Sequence, residues 1–322
     1  VQMIFGGATS EEAIAAGQRA HDLGLLYFAT LSYADEVTGS AGHRYLFRES
    51  NSARMSARVL GEYLGWNMPR QRYHYILVDD TWGRSIETEL RTSTASQDRA
   101  RHGRSALPAH AAMRKDYLAA LSKAAASDAD ILVLALLGDD LQRTLRLAHN
   151  LKLHTRMQII VPHLSKSIVQ QIGPKVMAGV IGTEAWTWQV PAQEQSASGQ
   201  AFVQAYIGHY QEYPASSAAS AYSIVMQWAD AVRRSGSLAS EPLIGALEDH
   251  RYSLLKGPQQ WRAFDHQNVQ NIYAVRVRSR QHIMQDPLKQ DYFEIIHQMA
   301  GDSAAPSLDD WQQERGDQLS LQ

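Results

Sequence analysis

The chain has 322 residues, 44% of them hydrophobic and 20% charged, and a formal net charge of −2. That length supports two lobes with cores of their own, and a near-neutral balance with basic residues spread rather than striped excludes a polyelectrolyte partner such as nucleic acid. There is no Cys, which excludes disulfides, thiolate metal sites and a Cys nucleophile, and the longest purely apolar run, Ile131–Leu137, is far too short to span a bilayer.

The opening stretch, VQMIFGGATSEEAIAAGQRAHDLGLLYFAT, reads as strand, glycine turn, helix and strand. Gly6-Gly7 ends the first apolar run. Thr9-Ser10-Glu11-Glu12 fits the capping-box pattern, Ala13, Ala16, Gly17, Ala20 and Leu23 recur at helical spacing, and Gly24 is a stop signal. One βαβ unit of this kind predicts a parallel sheet. Ligands of open parallel sheets bind at the carboxyl ends of strands, and free N–H groups at a helix start attract an anion, so Gly6–Ser10 is a candidate for a carboxylate or small phosphate. Glu11 and Glu12 in the same first turn oppose an anion if they face it. The chain opens inside a strand and shows no signal-peptide pattern, so further residues are expected upstream.

After Thr30 a polar loop, LSYADEVTGSAGHR, offers the Ser32 hydroxyl and the Tyr33 ring. A short strand is expected at 45–48 and a helix from about 52 to 64, with Ala53, Ser56, Ala57, Leu60 and Leu64 on one face. The strand at 73–78, closed by Asp79-Asp80-Thr81-Trp82-Gly83, repeats the logic of the opening and marks a second lobe. Residues 96–112 are polar and unassigned. A helix at 116–126, a strand at 130–137, a helix capped by Gly138-Asp139-Asp140, and strands at 157–161 and 176–181 follow. The second of these ends in Gly182-Thr183-Glu184-Ala185-Trp186-Thr187-Trp188. Helices are expected at 202–210, 216–233 and 241–247, a late strand at 269–277, and a partly helical tail from 287. With no strands between them, the helices after Gln189 are expected to return and cover the first sheet. The alternation predicts an α/β fold with parallel sheets in two similar lobes.

The residues exclude several chemistries. Neighbouring carboxylates at Asp79-Asp80 and Asp139-Asp140 point apart and lack a third ligand at metal spacing, so they read as helix caps. Asp265-His266-Gln267 sits in a turn before a strand rather than in a catalytic constellation. No G-x-G-x-x-G, G-x-x-x-x-G-K-[ST] or G-x-S-x-G motif is present. No catalytic residue, metal ligand or cofactor is expected, and a nucleotide-dependent α/β enzyme is the least favoured reading.

The ordered segments together resemble the type I periplasmic binding proteins of the branched-chain amino acid and amide class, the solute receptors of ABC transporters. GGATS before a helix is similar to that family's glycine-serine turn, and LLYFATLSYADEVTG to its strand and closing loop. RYLFRESNSARMSARVLGEYL, YILVDDTWGRS, DADILVLALLGDDLQRTLRLAHNLKL and SIVQQIGPKVMAGVIGTEAW resemble the units that follow. AFVQAYIGHYQEYPASSAASAYSIVMQWADAVRRSGS is similar to the returning helices and KGPQQWRAFDHQNVQNIYAVRV to the C-terminal strands. The resemblance covers most of the chain. It rests on order and spacing rather than on one motif. Family members carry roughly one more βαβ unit before this start, and the segment after Val277 is longer than in the simplest members.

The resemblance implies two hinged, Rossmann-like lobes with a ligand cleft. One lobe would comprise residues 1–70 with about 190–250, the other 71–189 with about 251–280, leaving 281–322 as a C-terminal extension. It implies a periplasmic or membrane-anchored extracytoplasmic protein, monomeric, that passes a small carboxylate-bearing ligand to transporter permease subunits. A ligand-sensing domain of a membrane receptor is the alternative. Carried over by position, Thr9, Ser10, Leu31, Ser32 and Tyr33 would meet the ligand from one lobe. Trp82, Leu137, Gly138, His163, Leu164 and Glu184 would line the cleft from the other, and Trp186 would join Tyr33 and Trp82 as an aromatic wall. Amino acid binders hold the ammonium with an acidic residue near His163 or Leu164. This chain has none there, which favours an aromatic or larger apolar carboxylate unless Glu184 substitutes.

Overall fold

Strand β1 (Met3–Gly6) is joined by helix α1 (Ser10–Asp22) to β2 (Leu26–Ala29), and β3 (Leu46–Arg48) follows the polar loop. The three strands pair in parallel in the order β1-β2-β3. This computed structural model describes every residue except His110, Leu319 and Gln322, and sheets are counted here among the described residues. Thr9 is the N-cap of α1, and its Oγ1 accepts from the Glu12 backbone N–H at 3.1 Å. The expected capping box is shifted by one residue: Glu12 Oε2 accepts from Ala8 N–H at 3.0 Å.

The chain then builds α2 (Ala53–Asn67), β4 (Tyr73–Val78), α3 (Thr81–Ser93), β5 (Gly103–Leu107), α4 (Arg114–Ala125), β6 (Ile131–Ala135), α5 (Gly138–Asn150) and β7 (Gln158–His163). Helices α6 (Lys166–Ile172) and α7 (Pro174–Met177) lead to β8 (Ile181–Glu184). Strands β4 and β6 are buried at every position, β6 wholly apolar and β4 hydrophobic except for His74, as central parallel strands are. Two expectations for this stretch are corrected. A strand was expected over 176–181, but Gly173 at φ +97° and Pro174 at the first helical position start a helical turn instead, and the strand begins at Ile181. The cap expected from Gly138-Asp139-Asp140 is held at Leu137, which has no side-chain bond, while both aspartates lie in the first turn of α5.

Helices α8 (Val190–Gln193), α9 (Ala197–Tyr210), α10 (Ser216–Ser235) and α11 (Ser240–Leu247) come next. The short strands β9 (Arg251–Tyr252), β10 (Gln259–Trp261) and β11 (Asn268–Val269) form an antiparallel sheet of their own. Strand β12 (Ile272–Val277), helix α12 (Arg280–Ile283), strand β13 (Phe293–Met299) and helices α13 (Gly301–Ala304) and α14 (Leu308–Arg315) complete the chain. The late strand expected at 269–277 is interrupted at Gln270-Asn271. The tail contains β13, which pairs antiparallel with β12, as β12 does with β8. The larger sheet is therefore mixed, seven strands in the order β13-β12-β8-β7-β6-β4-β5, with a parallel centre.

Two units emerge. The first holds residues 1–55, 185–271 and 300–322, and the second 56–184 and 272–299. In the first, Leu26, Phe28 and Phe47 from the sheet pack with Ile224 and Ala231 of α10, Leu243, Ile244 and Leu247 of α11, and Trp261. Phe28, Phe47 and Trp261 form a triangle with ring centroids 5.6–5.7 Å apart. Each fully buried side chain of this size contributes roughly 1.5–3 kcal/mol by leaving water. The returning helices thus cover the first sheet.

Candidate functional site

In the second unit, β4, β6, β7 and β8 run parallel and are neighbours in the sheet, so their carboxyl ends lie along one edge. That edge carries Trp82 in the first turn of α3, Leu137-Gly138 at the start of α5, and His163 and Glu184 as the last residues of β7 and β8. The strand order also reverses here: the chain leaves β4 for β5 on one side and β6 on the other. A reversal of this kind opens a crevice at the strand ends, the usual place for a ligand in an α/β sheet.

The side chains along this edge differ in what they offer. Asp80 caps α3 by accepting from Gly83 N–H at 2.7 Å, which sets Trp82 in the first turn. The Trp82 ring meets the His163 ring edge-on, centroids 5.6 Å apart. Trp82 is 2% exposed, and its Nε1 is buried with no hydrogen-bond partner among the described residues. His163 Nε2 lies 3.0 Å from Ser56 Oγ of α2, and Thr183 Oγ1 lies 3.1 Å from the same hydroxyl. Glu184 is buried and opposite Tyr273 in the β8–β12 register. Leu137 is half-buried, Gly138 is exposed, and Leu164 is buried. Asp140, one turn into α5, accepts from Tyr117 Oη, and burial followed by this carboxylate pushes the phenol up to about 12.

In the first unit the parallel strands again end in mostly polar segments: Thr9 and Ser10 after β1, Leu31 to Tyr33 after β2, and Glu49 after β3. Ser10 is 2% exposed, and its Oγ accepts from Ala34 N–H at 3.0 Å, tying the helix start to the second loop. Ser32 Oγ, fully buried, donates to Thr9 O at 3.4 Å. Gly7 sits between them at φ +91°, and a Cβ there would lie 3.0 Å from Tyr27 Oη and 3.1 Å from Ser32 Oγ. Only glycine suits both that backbone and that gap. The Glu12 carboxylate already occupies the Ala8 N–H, so it fills part of the anion-binding potential of the turn. Burial, then Glu12, raises the pKa of Tyr27. Leu31 is exposed and Tyr33 half-buried; the Tyr33 carbonyl accepts from Ala53 N–H at 2.6 Å. Trp186 is committed elsewhere in this unit: its Nε1 donates to Leu255 O at 3.1 Å and its ring meets Phe202.

The periplasmic binding protein family profile matches residues 1–282. The chain belongs to that family. A periplasmic binding protein from Burkholderia mallei shares 20% identity over 95% of this chain and 79% of its own, with a TM-score of 0.81. An amino acid ABC transporter substrate-binding protein from Pseudomonas fluorescens shares 23% identity over 92% and 77%, with a TM-score of 0.80. A solute-binding protein of an ABC transporter from Rhodopseudomonas palustris, in complex with 3,4-dihydroxybenzoic acid, shares 17% identity over 94% and 79%, with a TM-score of 0.75. These likenesses show the fold, the type I periplasmic binding architecture with two α/β lobes. No curated protein matches the sequence. A periplasmic binding protein captures solutes rather than converting them, so this chain is not an enzyme, and membership implies an extracytoplasmic place of work. No helix among the described residues is long and apolar enough to cross a membrane.

Four buried polar residues beside these strand ends escaped the sequence reading of this binding protein. Ser56 and Thr183 flank His163. Arg48, the last residue of β3, is 1% exposed and donates to Ala34 O, to Thr38 Oγ1 at 2.8 Å and to Gln267 Oε1 at 2.6 Å, which fixes the loop after β2. Glu49 accepts from Ser220 Oγ, and burial raises its pKa while Lys256 and that hydroxyl oppose the shift. The available signal was positional: Arg48-Glu49 directly follows a strand, and Ser56 is a hydroxyl on an apolar helix face.

Proposed function

We propose that this protein captures a small ligand bearing a carboxylate on an aromatic or apolar body and delivers it, as a monomer, to the permease subunits of an ABC transporter. Family membership across residues 1–282 carries the reading. In it, each unit contributes residues at its own strand ends: Thr9, Ser10, Leu31, Ser32 and Tyr33 from the first, and Trp82, Leu137, Gly138, His163 and Glu184 from the second. Ligand binding favours the closed arrangement because only that arrangement gives the ligand both sets of contacts.

Three features support the ligand class. Ser10 keeps its own proton to donate while accepting from Ala34 N–H. Trp82 and His163 set two rings against one another, suited to a flat or apolar body. By the family resemblance, amino acid binders place an acid near His163 or Leu164, where this chain has none, and solute-binding neighbours include one bound to 3,4-dihydroxybenzoic acid.

A thermal-shift screen of hydroxylated and plain benzoates, branched-chain amino acids and their amides tests the proposal, since a ligand stabilises the state it binds. At 100 times its Kd a ligand adds about 2.7 kcal/mol. We expect at least one carboxylate to raise the melting temperature and, in small-angle scattering, to compact the protein. If no carboxylate shifts melting at millimolar concentration, the ligand class is wrong.

A further inference from the structure

A buried backbone carbonyl needs a donor. Thr38, Gly39 and Gly42 are buried in the loop between β2 and β3, and each takes a donor from α14. Trp311 Nε1 donates to Thr38 O at 2.8 Å, across 273 positions of sequence. Arg315 Nη1 donates to Gly39 O and, at 2.8 Å, to Gly42 O. Glu314 Oε1 accepts from Ser40 N–H at 3.2 Å. Residues 311, 314 and 315 are spaced i, i+3, i+4, so a single face of the helix meets the loop. The Arg315 guanidinium lies over the Trp311 ring, 4.8 Å from its centroid, which holds the two donors together. Gly39 lets the helix seat closely, since a Cβ there would lie 1.8 Å from Glu314 Oε1. The helix start is itself fixed. Ser307 Oγ accepts from Asp310 N–H at 3.1 Å and Asp310 Oδ2 accepts from Ser307 N–H at 2.9 Å, a capping box. Helix α14 lies outside the 1–282 stretch that the family profile matches.

The same loop reaches the strand ends of the first unit. Ala34 N–H donates to Ser10 Oγ at 3.0 Å, and Arg48 joins Ser32 O and Ala34 O to Thr38 Oγ1. We infer that α14 is a latch: Trp311 and Arg315 hold residues 38–42, which keeps Ala34 on Ser10 and keeps the first unit's side of the ligand site in its binding-competent form. This rests on the placement of Ser10, Ser32 and Tyr33 in the ligand site proposed above. Neither Trp311 nor Arg315 touches ligand in this scheme; both are positioning residues. The latch sets affinity through population. A loop that is competent for only a fraction of the time raises the apparent Kd by the inverse of that fraction. With α14 seated, the ligand does not bear the cost of ordering the loop.

Amide hydrogen exchange of the full chain, followed by mass spectrometry without ligand, reads the latch. We expect 34–42 and 308–315 to show protection factors within about threefold of one another in the native protein, because they open together. Arg315→Met deletes the two donations and keeps the apolar stem over Trp311. In it, 34–42 should exchange about tenfold faster while peptides from α10 and α11 keep their rates. Fast exchange at 308–315 beside a protected 34–42 in the native protein overturns the inference, including if Arg315→Met does not fold. A rise shared equally by α10 and α11 overturns it too, since that is general loss of stability. The coupling to binding is read with benzoate, 4-hydroxybenzoate and leucine as probes. By calorimetry at least one should bind the native protein about tenfold or more tighter than Arg315→Met. At saturation it should return 34–42 of the variant to within about threefold of the native rate. A probe that binds both proteins equally, or leaves the variant's loop exchange unchanged, overturns the positioning role. If no probe binds the native protein, that role falls with the ligand class proposed above, and exchange alone decides whether α14 latches the loop.

Discussion

Arg48 Nε donates to Gln267 Oε1 at 2.6 Å, between residues that are 1% and 0% exposed and 219 positions apart in sequence. Gln267 completes its own set by donating to Ser50 O and Asn268 O, both at 2.8 Å. The arginine's other donors reach Ala34 O and Thr38 Oγ1, so one guanidinium ties the loop after β2 to the strand-end turn of β3. Burial lowers the Arg48 pKa, and Asp35 and Asp265 act against that shift. Removing one partner of a buried charged group leaves the rest uncompensated. Arg48→Met is expected to lower unfolding free energy by about 3–5 kcal/mol, and Gln267→Leu by about 1–3 kcal/mol. Urea titration followed by circular dichroism checks both. A loss under about 1 kcal/mol for Arg48→Met would show that water replaces these contacts.

The elements that could be read from sequence were those whose local pattern and burial agree. β1, α1 and β2 alternate apolar runs with a glycine turn and an N-cap, β6 is apolar throughout and β4 is hydrophobic except for His74, so period and composition sufficed. β5 was missed because it is the sheet's edge strand: Gly103-Arg104-Ser105-Ala106 has mostly half-exposed or exposed positions and no apolar run. β13 was missed for the same reason, with Glu294, His297 and Gln298 on an edge. At the candidate site, residues that follow strands were visible because strand–turn–helix order places them there. Arg48 and Ser56 were not. Their roles depend on partners 219 and 107 positions away, which no local pattern encodes. Asp265, His266 and Gln267, read from sequence as a turn rather than a catalytic set, serve packing and hydrogen bonding. Asp265 pairs with Arg262, the His266 ring stacks on Phe47 at 3.8 Å, and Gln267 serves Arg48.

Two buried imidazoles make folding sensitive to mild acid. His43 and His74 are 9% and 1% exposed, and each has its pKa lowered from 6.5 to about 4. Burial is the main cause in both, followed by His21, His266 and Arg315 around His43, and by Lys123 and Arg91 around His74. The unfolded chain takes up these protons near pH 6.5, the folded protein only near pH 4. Between those values the unfolded state binds more protons, so stability rises with pH. The contribution is complete above about pH 6.5 and is lost as pH falls toward 4. Each group accounts for at most about 3 kcal/mol over that window. Urea midpoints at pH 7.5, 6 and 5 should fall in that order, and His74→Asn should flatten the slope relative to the native chain. A slope unchanged in His74→Asn would mean that His74 is protonated in the folded state or solvated well enough not to matter.

Trp82 separates folding from binding. Its indole is 2% exposed, yet Nε1 has no hydrogen-bond partner among the described residues. A buried donor left unpaired costs about 1–3 kcal/mol, a cost that a ligand's acceptor removes on binding. Trp82→Ala cannot test this, because losing the whole ring costs about 3–5 kcal/mol by itself. Trp82→Phe keeps most of the apolar contact with His163 and deletes only the orphaned N–H and part of the ring. The two losses offset one another in the unliganded protein, so stability should stay within about 1 kcal/mol of native. Affinity for a carboxylate identified in the screen should drop about tenfold, because the ligand loses a donor that only it was using. Unchanged affinity alongside unchanged stability would place the indole N–H outside the ligand's reach and leave Trp82 as a packing residue of α3.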